Sequence, residues 1–363
     1  MTAGLYNLPA YHLDEDYVPI LKADVNHHLF KNVILFALLS LFVESSIAQT
    51  ARQLMNQQMT LYRDTYPEIE FKLLHSMADF DELMPLTDSL GKDLSNVDYE
   101  HPDDLRKSLV EAQEYRIAFQ LNNGNGTATL FKTPNARITK KPYTCLLTLN
   151  LALLDETALA ASRFLYDVGD VELNSIPEPY LIDNHDFLVY SIDHEVFHCI
   201  DAYTSGFIYP RTLDPVKVSL NHTRAELRTE MFAAMAHLSR QPKAKRFLRN
   251  LAIARTVNLL NGDLEHFTSD ALNLLVDSSK QNIPNDINSV AEKSMSFTRE
   301  LIPSYEEHKE LIVTLRTVLE EFEIDADFLF TEYPELALDV PLPEEVESLR
   351  RKITNALTMI NPQ

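Results

Sequence analysis

Residues 194–198 read His194-Glu195-Val196-Phe197-His198. On a helix, positions i and i+4 stand one turn apart on the same face. Two imidazoles so placed can each turn a ring nitrogen to one zinc ion ~2.0–2.1 Å away. The glutamate between them lies beside that face, where it can take a proton from a water activated by the metal. A hydrolytic zinc needs a third protein ligand and one open position. A third histidine on the same segment is excluded, because Asp201 and Thr204 stand where His-x-x-Gly-x-x-His would place its glycine and second histidine. The best source of the third ligand is the helix-forming stretch Ala225 to Ala236, in which Glu226 and Glu230 are one turn apart. One carboxylate can ligate the ion; the other can accept the second ring N–H of a ligand histidine and fix its tautomer.

These groups need two helices to hold them. Phe187, Leu188, Ile192, Val196, Cys199 and Ile200 give the first an apolar side, and Gly206 lies past its expected end. Leu227, Met231, Ala234 and Met235 give the second an inward face.

The segments HEVFHCIDAY and ELRTEMFAAMAHL resemble the gluzincin metallopeptidases, in particular the anthrax lethal factor catalytic domain and the Mlc titration factor family. The likeness covers about residues 190–240. It implies a zincin-like domain with one Zn2+ held by His194, His198 and Glu226, and Glu195 as general base. It also implies that Glu230 and Asp201 support the ligand histidines from behind. The expected activity is endopeptidase cleavage of a peptide or protein substrate; the alternative is a zincin-like protein that binds a partner with little or no proteolysis. In a third reading the histidines bind nothing. The chain departs from lethal factor where a tyrosine precedes the ligand glutamate by seven residues, since Ser219 stands there. His222, Tyr203 and Tyr209 are the candidates to stabilise an oxyanion in its place. An extended substrate would pair with an edge strand, supplied by residues 127–132 or 144–150.

Composition narrows the class. The chain has 363 residues, room for about two domains or one large one with a satellite, and a formal net charge of −22. So acidic a surface repels phosphate backbones, which argues against nucleic-acid partners. Seven glycines include no phosphate-binding loop. Cys145 and Cys199 are too few for a disulfide scaffold or an all-cysteine zinc site. Cys145 lies in an apolar strand and Cys199 about 100° round a helix from His198, so both read as buried free thiols.

The expected fold class is α+β: a small mixed sheet and the active-site helix, then a mostly helical C-terminal part. Residues 1–65 form an N-terminal segment, 66–206 the subdomain with the His-Glu-x-x-His helix, and 207–363 the helical subdomain with the third ligand. Within the first, Val33 to Val43 is an uncharged run too short for a membrane span. It fits a signal peptide at about 25–48, which would place the protein outside the cytoplasm, or a buried helix continuing through Leu54 and Met59. Strands are expected at 68–74, 117–121, 127–132 and 144–151, the middle two joined by an Asn/Gly turn. Helices are expected at 78–91, 102–114, after Asp155, and at 246–260, 266–279, 286–301, 304–322 and 343–359.

Overall fold

The computed structural model describes residues 53–74, 127–132, 141–148, 159–166, 174–205, 214–278, 282–324, 341 and 343–362. All lie in the compact unit Ile47–Gln363. The signal-peptide segment, the expected helices at 78–91 and 102–114, the strand at 117–121, Asp155 and Tyr209 lie outside the described residues.

Helix α1, 53–65, turns Met55, Gln58, Met59 and Tyr62 inward, the stripe that a 3.6-residue repeat makes of these positions. Three strands follow: β1 Ile69–Leu74, β2 Thr127–Lys132 and β3 Tyr143–Thr148. Their order is β1-β3-β2, with β1 parallel and β2 antiparallel to β3. Phe71 and Leu130 flank Cys145, and Leu73 and Ala128 flank Leu147. Thr144, Cys145, Leu147 and Thr148 are all buried, as suits a strand covered on both faces. Residues 144–148, one of the two segments expected to offer a free edge, therefore form the middle strand. Strong apolar character marks a strand with neighbours on both sides. Among the described residues β2 is an edge, and both β2 and β3 pack on the helix that carries the histidine pair.

Helices follow among the described residues: α2 Ala160–Tyr166, α3 Asn184–Ser205, α4 Pro215–Arg240, α5 Lys245–Val257, α6 Ser269–Asp277, α7 Ile287–Thr298, α8 Tyr305–Glu321 and α9 Pro343–Ile360. Asp214 caps α4 by accepting the Lys217 N–H, with Pro215 in the first turn. Ser304 and Glu307 close a capping box on α8. After α5 the chain makes a 3-10 turn and leaves at Gly262 with φ 76°, a left-handed value that glycine adopts without strain. Residues 263–268 are taken up in the turn that follows, so α6 begins at Ser269 and not at 266. The architecture is α+β. No helix among the described residues is long and apolar enough to cross a membrane.

One hydrophobic core runs from Met55 in α1 to Ile360 in α9, across residue 207. At its centre α3 crosses α4, and Met231 to Ala236 are sealed from solvent. The Phe197 and Phe232 rings stack at 4.1 Å, one residue before His198. Asp193, one residue before His194, is fully buried; Gln58 donates to it at 2.5 Å, and Tyr62 and Arg240 complete its partners. This polar knot ties α1, α3 and α4 together and sets the rotation of α3. A second cluster, including Val216, Leu259, Leu315, Leu319 and Ile353, joins the start of α4 to α8 and α9.

Cys145 and Cys199 are not free thiols. They form a disulfide between β3 and α3, with Cα atoms 5.9 Å apart. Each was correctly expected to be buried, but 54 residues separate them in sequence, and their meeting depends on how α3 packs on the sheet.

Candidate metal centre

Helix α3 presents His194 and His198 one turn apart, with ring centroids 5.0 Å apart and planes at 80°. Across from them α4 presents Glu226. Its Oε2 lies 3.1 Å from His194 Nε2, and its Oε1 lies 3.4 Å from His198 Nε2. Zinc bonds of 2.0–2.1 Å at tetrahedral angles separate neighbouring ligand atoms by about 3.3 Å. The three side chains form a group whose ligating atoms all lie within 4.8 Å of one another. Glu226 Oε2 is buried without a hydrogen-bond partner. A buried, unsatisfied carboxylate oxygen between two imidazoles is what a divalent cation would satisfy.

Behind each histidine an oxygen faces Nδ1, which leaves Nε2 for a metal. The Thr229 hydroxyl donates to the Ala225 carbonyl at 2.8 Å and lies 3.3 Å from His198 Nδ1. With its proton so engaged, Thr229 can only accept, so Nδ1 carries the hydrogen and Nε2 keeps its lone pair. His194 Nδ1 faces Glu230 Oε2 at 3.2 Å as an ion pair without hydrogen-bond alignment, and the carboxylate favours a proton on that nitrogen. Glu230 is fully buried and held in turn by Arg255, at 2.8 and 3.0 Å, and by the Thr268 hydroxyl at 3.2 Å. Burial raises the Glu230 pKa, but Arg255 and His194 more than offset it, leaving the group ionised across the ordinary pH range.

The same competition of forces marks the whole centre. Burial alone would strip His194 of its proton, but Glu226 and Glu230 push its pKa up to about 9. Burial opposes ionisation of Glu226 too, yet His198, His194 and His266 hold its carboxyl well below the usual range. Both carboxylates thus favour positive charge at the centre. Glu195 is buried beside the pair; desolvation pushes its carboxyl up, and His194 and His198 partly counter this.

His266 belongs to this site and was missed in the sequence. Its Nε2 lies 3.2 Å from Glu226 Oε2, and its Nδ1 lies 2.8 Å from Asp263 Oδ1, which also accepts the His266 backbone N–H. The available signal was an acid three residues before a histidine, directly after the Asn261-Gly262 stop. A helix over 266–279 hid it.

The other candidates are placed as follows. His222 pairs with Glu265 at 2.6 Å on the half-exposed flank of α4, and Glu265 raises its pKa. Tyr203 donates to Glu68 and packs edge-on against Tyr143 at 5.1 Å. Asp201 receives the Arg228 guanidinium at 3.0 and 3.2 Å. None of these contacts is to His194, His198 or Glu226. Searches among protein-family models, curated proteins and solved structures found no match to this chain.

Proposed function

We propose that the protein is a zinc-dependent endopeptidase of gluzincin type with a zincin-like fold. The observation that carries this reading is the convergence of His194 Nε2, His198 Nε2 and the Glu226 carboxylate, with an oxygen of Glu230 or Thr229 facing each Nδ1 from behind. Bound there, zinc supplies Lewis acidity and lowers the pKa of water. Glu195 accepts the proton of the attacking water and hands it to the leaving amine. His266, oriented by Asp263, donates from Nε2 to the scissile carbonyl oxygen as that oxygen gains charge. In this reading His266 takes the part for which His222 and Tyr203 had been considered. The edge of β2 offers backbone groups to an extended peptide. The Cys145–Cys199 disulfide accords with an oxidising location, hence with an exported protein.

The test is Glu195→Gln in the full chain, assayed on denatured casein with metal content measured alongside. The expected result is zinc content equal to that of the unaltered protein, with cleavage reduced at least ~100-fold. Zinc retention without cleavage by the unaltered protein would favour a zincin-like binding protein. Equal cleavage by the variant would end the general-base role.

A further inference from the structure

Thr268 stands at the N-cap of α6, where a threonine hydroxyl ordinarily accepts a backbone N–H of the first turn. Here it makes no such bond. The side chain is buried, and its hydroxyl lies 3.2 Å from Glu230 Oε1 and 3.3 Å from the His266 carbonyl oxygen. One O–H is thus set between the backbone of His266 and the carboxylate that faces His194 from behind. The ionised carboxylate is the stronger acceptor of the two. A residue in capping position has given up the cap to reach across to α4.

Glu230 is a firm anchor, because Arg255 on α5 holds both of its oxygens. The turn that carries His266 is bonded within itself. The Thr268 N–H donates to the His266 carbonyl at 2.7 Å, and Asp263 accepts both the His266 N–H and its ring Nδ1–H. The Thr268 hydroxyl fastens this unit to α4 behind the metal centre. We propose that Thr268 is a positioning residue: by bonding Glu230 it fixes the turn 263–268 so that His266 Nε2 faces the Glu226 carboxylate. One buried carboxylate then sets both the ligand imidazole of His194 and the imidazole of His266, and keeps the two in register. The inference rests on the oxyanion role given to His266 in the reading above.

The experiment compares Thr268→Val, which keeps the volume and removes the hydroxyl, with Thr268→Ser, which keeps the hydroxyl, both in the full chain. Thr268→Ala repeats the test without an apolar branch against Glu230. Zinc-free protein with isotope-labelled histidine gives the ring signals of His266 by NMR, assigned by their loss in His266→Gln. The expected result is a shift of those signals in Thr268→Val and their return in Thr268→Ser. On denatured casein, Thr268→Val of the zinc-loaded protein lowers kcat about 10–100-fold with KM unchanged. In the His266→Gln background Thr268→Val costs nothing more, because it acts through that ring. His266 signals that stay in place in Thr268→Val, or an equal further loss in the His266→Gln background, overturn the inference and leave the peptidase reading intact. Unaltered protein that cleaves nothing ends the peptidase reading, and the ring signals alone then decide whether Thr268 places His266.

Discussion

Arg255 grips both carboxylate oxygens of Glu230, at 2.8 and 3.0 Å, while Glu230 Oε2 also stands 3.2 Å from Nδ1 of His194. A guanidinium thus fixes a carboxylate that fixes a ligand. Glu230→Gln should preserve the shape and remove the charge. The expected outcome is zinc affinity lowered about 10–100-fold, read by competition with a chromophoric chelator. Unchanged affinity would mean that His194 is oriented by something else.

The second imidazole is set by a neutral group. Thr229→Val removes the acceptor for His198 Nδ1–H while conserving volume. Zinc affinity should fall about 10-fold, and Thr229→Ser should restore it. Equal loss in both variants would trace the effect to packing in α4 and not to the hydroxyl.

His308 provides a pH test away from the metal centre. It is buried, with Nε2 3.0 Å from the Ser219 hydroxyl. Burial and then Arg224 push its pKa down from 6.5 to about 4. The unfolded chain therefore binds this proton more readily than the folded one. Its contribution is fully present above pH 6.5 and is lost as pH falls towards 4, amounting to roughly 3 kcal/mol. His308→Gln should flatten that part of the stability profile, measured by urea unfolding at a series of pH values. An identical slope in both proteins would exclude His308 as the cause.

Removing the Cys145–Cys199 crosslink should destabilise the fold by about 2–4 kcal/mol. The measurement is urea unfolding of the double variant Cys145→Ala, Cys199→Ala beside the oxidised protein. A midpoint that does not move would show that the bond adds no stability.

How far the sequence reads can be judged residue by residue. His194, His198, Glu226 and Glu230 were legible because helical spacing alone puts each pair on one face. Strands β1, β2 and β3 were legible from short apolar-rich runs and the Asn/Gly turn before β2, and the later helices from helical periodicity and the Asn261-Gly262 stop. His266 was not, because its role depends on a turn that brings residue 263 onto its ring and residue 226 onto its other nitrogen. Asp201 carries a contact of the same long-range kind. Its spacing on α3 pointed to the ligand face, but Arg228 from α4 supplied a partner that no local pattern announces. The middle position of β3 was hidden too, since strand order is a long-range property.

The crosslink between β3 and α3 has a kinetic meaning. Both sulfur-bearing residues are at most 1% exposed, so a thiol reagent in solution cannot touch the bond while the core stays shut. Cleavage must wait for a breathing motion that lifts the sheet from the helix next to His198. The speed at which a small dithiol severs the link therefore clocks how often the floor beneath the histidine pair comes open.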